Sequence, residues 1–386
     1  MNLIHDLSKA YFYEHREKFG KDATFEGFKQ VGSCSLDEKL AFNVVFGCVV
    51  YTSQNTCYTS QMMLAKFLDA KAQSLAGSYD GLSRFAVEMS FFKKVLPAFN
   101  SLRSAKHLVP KLCAASAATI GSSELVAVVF EHMDGFAEFG CHSFLDYPHL
   151  SLMARRIGEF HAYSMAARKA NPHYLAQVNY SLTTFEQYHQ VLPLLDRCLQ
   201  SLQLDSRYQC PMDAGYVDGI RRLKLIIDQF PQWLHEPLTA SGRLDCWVLC
   251  HQNYSQANVL YRYDERLQPI DMRICNWQWM GFASLGVDLV ILLFVETNEE
   301  TRHGFFDQLL VDYYEALRST FSDLPVPSMN RIFDEVKVCI PIALYALASR
   351  VLAQSQMSSD SKLSAPLWTE EWITNSLRNL IINNFI

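Results

Sequence analysis

Between Asp80 and Leu96 the apolar residues Leu82, Phe85, Met89, Phe92 and Leu96 recur three and four positions apart, which predicts an amphipathic helix closed by Pro97. Before that helix the chain reads as strand-rich. Met62 to Leu68 (MMLAKFL) is a short apolar run, as in a strand buried on both faces, and it carries one charge, Lys66. Leu125 to Phe130 (LVAVVF) predicts a further buried strand, after which the composition turns polar at Glu131-His132-Met133-Asp134-Gly135. The pattern therefore divides the chain into a first lobe, 1–130, and a second lobe, 131–386. Helical spacing dominates the second: Leu150 to Ala167, Phe185 to Leu202, Ala214 to Phe230, Gly304 to Phe321 and Arg331 to Gln354.

One stretch breaks that pattern. Cys246 to Cys250 (CWVLC) reads as an apolar strand delivering a polar loop, His251 to Ala257. Asn258 to Tyr263 and Pro269 to Cys275 then read as a hairpin around Asp264 to Gln268, and Asn276-Trp277-Gln278 follows directly. Ser355 to Ser364 reads as a flexible loop.

Composition narrows the class. With 386 residues, 49% hydrophobic and 19% charged, the chain has material for a sizeable core and for two lobes. A net charge of -6 without blocks of Lys or Arg shows no footprint for nucleic acid or an anionic membrane surface. Neither partner is expected. The apolar runs fall short of the ~20 residues of a spanning helix, and the N-terminal residues lack the pattern of a secretory signal. Eleven cysteines with no CxxC pair read as reduced thiols in a cytoplasmic protein.

The candidate chemistry is phosphoryl transfer, which needs a Lys held by an acid for the phosphates, Asp and Asn oxygens for a metal, and a carboxylate base. Lys66 in its strand and Glu88 on the next helix supply such a pair; a snorkelling lysine and a rim glutamate that never meet is the bland alternative. Cys246, Cys250 and His251 alternate with apolar residues along a strand and have no second ligand pair, so buried thiols are expected there rather than a metal site. His161 on its amphipathic helix reads as packing.

The segment His251-Gln-Asn-Tyr-Ser-Gln-Ala-Asn258, then Asn276-Trp-Gln278, then Asp288-Leu-Val resembles the ecdysteroid-kinase-like (CHK kinase-like) family, relatives of the aminoglycoside and choline kinases. That family reads His-Gly-Asp, four residues and Asn, then Asp-Phe-Gln after a hairpin, then Asp-Leu about ten residues on. Lys66, Glu88, Phe130-Glu131 and Phe160-His161-Ala162 fall in the same order. The resemblance implies an α+β, two-lobed protein-kinase-like fold, with an antiparallel sheet and one main helix in the first lobe and a larger, mostly helical second lobe; the kinase-like region runs over about 127–320. It implies ATP and Mg2+ as cofactors and a small hydroxylated molecule, such as a steroid, as acceptor. It also implies that Lys66 contacts phosphates, Glu88 anchors Lys66, Glu131 and its neighbours form the hinge against adenine, His251 braces the catalytic loop, Asn258 is a metal ligand and Asp288 holds the loop.

Two departures weigh against those matches. The family's catalytic-base aspartate falls on Asn253 and its metal-binding aspartate on Asn276. Asparagine keeps the shape but accepts no proton at neutral pH and brings no charge to a hard dication, so Mg2+ binding is in doubt. Loss of a general base alone costs ~10² to 10⁴ in rate. Asp264 and Asp271 are the nearest acids, and Asp271 at odd strand spacing faces away from Asn276. Ser35 to Phe42 lacks the glycine expected over the phosphates. The expectation is a pseudokinase; a working ATP-dependent kinase, and an interaction scaffold whose cleft is filled by Trp277, Trp279 and Met280, are the alternatives.

Overall fold

The computed structural model describes residues 2–14, 16–37, 42–54, 56–69, 81–120, 123–131, 133–139, 144–173, 188–204, 214–238, 244–357, 369–383 and 385. The chain forms two compact units: Met1–Phe136 with Arg273–Trp279, and a second built from Ala137–Ala176, Leu182–Met272 and Met280–Ile386. The stretch around Asn276 thus folds with the first unit although it follows the hairpin of the second.

The first unit is a five-stranded antiparallel sheet in the order β1-β2-β3-β5-β4, with β1 Thr24–Asp37, β2 Phe42–Ser53, β3 Thr56–Asp69, β4 Leu112–Ile120 and β5 Ser123–Glu131. MMLAKFL lies on the central strand β3, where Lys66 pairs with Val44 on one side and Val128 on the other. A helix, α1 (Asn2–Glu14), packs on the sheet and is absent from the strand-rich sequence reading. Its Ile4, Leu7, Tyr11 and Phe12 share a core with Val49, Ala127 and Val129.

The predicted helix is α2, Gly81–Ser90, and Pro97 does not close it. The chain passes through a π-turn at Phe91–Val95 and continues helically over Leu96–Leu102, with Pro97 in the first turn of that piece. The wide turn accounts for this: Leu96 N–H reaches back five residues to Phe91 O, and a proline just beyond, at a new helical start, has no intrahelical donor to lose. Phe92 meets Phe130 of β5 with ring centroids 5.2 Å apart, fastening the helix to the sheet.

The second unit is mostly helical: α3 Tyr147–Ala170, α4 Tyr188–Gln203, α5 Ala214–Asp228, α6 Gly286–Val290, α7 Glu299–Thr320, α8 Met329–Val338, α9 Ile340–Met357 and α10 Glu370–Ile382. Among them, β6 Trp247–Cys250 pairs antiparallel with Gly281–Ser284. Val259–Tyr263 and Pro269–Ile274 form the predicted hairpin, its turn closed by Asp264 N–H to Gln268 O at 3.0 Å. The single periodic run Arg331 to Gln354 is two helices, α8 and α9, bent by 49° around Cys339 and Pro341. Ser355 to Ser364 lies mostly outside the described residues. Among the described residues no single helix is long and apolar enough to cross a membrane.

Helices α3 and α7 approach closely at Gly158. A Cβ built on Gly158 would stand 2.5 Å from Tyr313 O and 3.2 Å from Leu317 N, both backbone atoms that cannot swing aside. Gly158→Ala gains about 1 kcal/mol of helix propensity and incurs about 1–3 kcal/mol of overpacking. We expect a net loss of up to about 2 kcal/mol and a lower melting midpoint; a raised midpoint would show that the two helices part easily.

Candidate functional site

The loop after β6 is organised by one carboxylate. Asp288, on α6 and fully buried, accepts the His251 N–H at Oδ2 and the Gln252 N–H at Oδ1, both at 2.8 Å. His161 of α3 places Nε2 3.1 Å from the same Oδ2, while its Nδ1 lies 2.9 Å from the Tyr313 hydroxyl of α7. A consistent assignment has Nε2–H donating to the carboxylate and Nδ1 accepting from the phenol. His161, which periodicity reads as packing, is therefore the side chain that completes the cradle of Asp288. No signal in a single helix distinguishes that from ordinary burial.

Cys250, His161 and Asp288 stand together, with their potential ligand atoms within 4.8 Å of one another. The Cys250 thiol donates to Ser284 O at 3.3 Å and is pushed well above its ordinary range by burial and then by the Asp288 charge. Burial likewise pushes Cys246 up to about 12. Both are protonated thiols at neutral pH.

Gln252 occupies the position where the related pattern has glycine, and its φ of 62° is the left-handed conformation that glycine adopts without penalty. Its buried Oε1 has no hydrogen-bond partner. Asn253 donates its N–H to His251 Nδ1 at 3.3 Å, and among the described residues its own half-exposed side chain makes no hydrogen bond to the scaffold. Asn258 closes the loop: Nδ2 donates to Asn253 O at 2.7 Å and to Ser255 Oγ at 3.3 Å. That use of Nδ2 fixes the amide so that Oδ1 is the atom Asn258 would offer a cation.

The carboxylates of the surrounding segments are already engaged. Asp271 accepts from Arg156 at 2.6 Å and lies 3.5 Å from Arg262. Glu296 accepts from Arg350 at 2.5 Å and from the Gln256 N–H at 3.1 Å. Asp264 holds its own turn through the N–H groups of Arg266 and Gln268.

The remaining candidates belong to the first unit. Asn276 has a φ of 60°, a conformation that asparagine tolerates better than most residues. After it, Trp277 is fully buried and stacks on Phe91 at 3.9 Å and 3°, donating its indole N–H to Ile274 O at 3.1 Å. Trp279 is half-buried beneath the Arg84 guanidinium, 3.8 Å from the ring centroid. Both tryptophans are bound to α2 and its π-turn. Glu88 of α2 is buried, and Glu131 ends β5, its carboxylate 2.7 Å from Lys111 Nζ and its N–H on Lys111 O at 2.9 Å. The Lys66 side chain, hence its pairing with Glu88, lies outside the described residues, as do His132 and residues 38–41.

Truncating Asp288 would leave three buried donors without an acceptor, at about 1–3 kcal/mol each. We expect Asp288→Ala to cost more than about 3 kcal/mol in urea unfolding and Asn253→Ala less than about 1 kcal/mol. Equal costs would show that the loop is held by something other than this carboxylate.

Comparison with known proteins supplies the family. Residues 46–326 match the model of the ecdysteroid kinase-like family, and no curated protein matches the chain. Among solved structures the chain is similar to a microcompartment-associated aminopropanol kinase, at 12% identity and TM-score 0.48, covering 95% of this chain and 94% of that one. It is similar to the ethanolamine kinase of Plasmodium vivax at 12% identity and TM-score 0.41, covering 98% and 89%. A macrolide 2'-phosphotransferase from Brachybacterium faecium gives 17% identity and TM-score 0.36, covering 93% and 99%. With its loop frame described and nearly three quarters of its length matched by one model, the chain belongs to the ecdysteroid kinase-like family.

Proposed function

We propose that this chain is a kinase-like protein of small-molecule phosphotransferase lineage in which phosphotransfer is impaired, with a nucleotide and a small hydroxylated molecule as its ligands. The observation that carries the reading is the neutral character of the two chemical positions, Asn253 and Asn276. Its support is the state of the neighbouring acids: Asp271 and Glu296 are each held by arginine, and Asp264 is spent on its own turn. None of these three described carboxylates is left to stand in for either aspartate.

A hard dication prefers charged oxygen ligands, whereas the positions that the family devotes to metal offer amide oxygens from Asn258 and Asn276. These residues do not fit Mg2+, and no step of the chemistry is routed through it. In this reading Lys66, anchored by Glu88, meets the phosphates, Glu131 and its neighbours flank the base, and His251 and Asp288 keep the loop in shape. Asn253 orients an acceptor hydroxyl by hydrogen bonding without removing its proton. Reduced thiols at Cys48, Cys57, Cys113, Cys198, Cys246 and Cys250 support a cytoplasmic location.

Thermal stability reads nucleotide binding directly, since a ligand specific for the native state adds about 2.7 kcal/mol at a hundredfold excess over Kd. ATP is expected to raise the midpoint by the same amount with and without magnesium. Strict magnesium dependence together with ATP turnover by the parent would establish an active kinase instead.

Restoring charge provides the second test. Asn276→Asp is expected to bring magnesium dependence to nucleotide binding before turnover appears, and Asn253→Asp to add the base. Metal and base act as a unit, so ATP consumption by the double variant with a panel of hydroxylated acceptors should exceed the product of the single effects. Robust parental turnover that neither change alters would end the impaired reading.

A further inference from the structure

A second set of titratable groups lies in the helical unit, apart from the His251–Asn258 loop. Asp146 precedes α3 and caps it, its Oδ1 accepting the His149 N–H at 3.2 Å. The same oxygen is hydrogen-bonded to His149 Nδ1, and His149 Nε2 lies 3.1 Å from the Tyr263 hydroxyl. His149 is buried, at 4% exposure, whereas Tyr263 is half-buried beside the exposed hairpin turn. Phe139 and Tyr261 set their rings edge-on to the imidazole at 4.8 and 4.9 Å and fix its plane.

Helix capping uses only Asp146 and a backbone N–H. It does not call for an imidazole bonded at both nitrogens, nor for a chain of bonds that ends on a hydroxyl near the surface. With Nδ1–H on the carboxylate, the Nε2 lone pair faces the phenol. Carboxylate, imidazole and hydroxyl then stand in the order orienter, base and nucleophile. Burial, and then the Asp146 charge, push the Tyr263 phenol up, so at neutral pH it is an O–H that needs a base.

We propose that Tyr263 is a base-activated nucleophile that accepts a phosphoryl group from an activated phosphorus ester, forming a modification site separate from the kinase-like loop. In the step Tyr263 Oη attacks phosphorus and its proton passes to His149 Nε2. The bond from phosphorus to the leaving group breaks, and the leaving group departs with the electron pair. Asp146 stabilises the imidazolium. Phosphorus is favoured over an acyl carbon because an aryl ester beside an imidazole is hydrolysed by that same base, whereas an aryl phosphate persists.

The probe is a fluorophosphonate applied to the full chain, in which the P–F bond breaks and fluoride leaves, with labelled tyrosines mapped by mass spectrometry. Tyr13 and Tyr58, 47% and 44% exposed, serve as internal references for accessibility. Tyr263 is expected to label at least about tenfold faster than either, the low end of what a positioned base gives. His149→Gln and Asp146→Asn should bring it down to their level, and Tyr263→Phe should remove the fast phase. Asparagine caps a helix as well as aspartate does, so Asp146→Asn keeps α3 intact, and circular dichroism verifies folding. Labelling of Tyr263 no faster than the references, or equally fast in the folded Asp146→Asn and His149→Gln proteins, would overturn the proposal. Neither result depends on whether the kinase-like loop transfers phosphate.

Discussion

A carboxylate removed from water is costly unless its oxygens find donors, and those of Asp288 find three, two backbone N–H groups and an imidazole. The demand works in both directions. The charge needs those donors, and the donors fix the path of the chain at His251 and Gln252, holding Gln252 in the left-handed region at a φ of 62°. Because His161 comes from α3 and its partner Tyr313 from α7, the same network ties the loop to the two longest helices of its unit.

That network explains why the close approach at Gly158 matters. Tyr313 supplies both the hydroxyl that orients His161 and the backbone oxygen that a Cβ on Gly158 would strike. Separating α3 from α7 would therefore move the hydroxyl away from the imidazole, and the imidazole away from the carboxylate. Packing density and electrostatics are coupled at one residue, and interiors packed as tightly as crystals transmit such shifts.

Charge is distributed unevenly around the loop. The Asp288 carboxylate organises the frame, while Asn253 in the loop carries no charge. A change at Asn253 leaves the frame nearly untouched, since among the described residues its side chain contributes no hydrogen bond to the scaffold. Loss of charge at Asp288 would strand three donors. A frame of this kind stands independently of the side chain it presents, and for that reason function has to be argued from the site rather than from the fold.

Much of the architecture was legible in the sequence because short-range periodicity is enforced locally by burial of one face: MMLAKFL, LVAVVF, CWVLC, the hairpin and the long helices all reported themselves this way. The spacing of Ile4, Leu7 and Tyr11 carries the same signal for α1, though it is brief and lies beside strong strand patterns. The run from Arg331 to Gln354 looked like one helix because apolar spacing survives a 49° bend, and Pro97 looked like a stop because a π-turn leaves no mark on hydrophobic period. His251, Asn253, Asn258, Asn276 and Asp288 were singled out in the sequence by their resemblance to a family pattern, and the structure joins His251, Asn253, Asn258 and Asp288 in one hydrogen-bonded loop frame. Only the tertiary structure decided which side chains complete them. His161 on Asp288, arginine on Asp271 and Glu296, and His149 between Asp146 and Tyr263 are pairings across 127, 115, 54, 3 and 114 positions of chain. Hydrogen bonds and ion pairs act over about 3 Å in space, and apart from the local Asp146 contact no pattern along the chain encodes which distant groups will come within that reach.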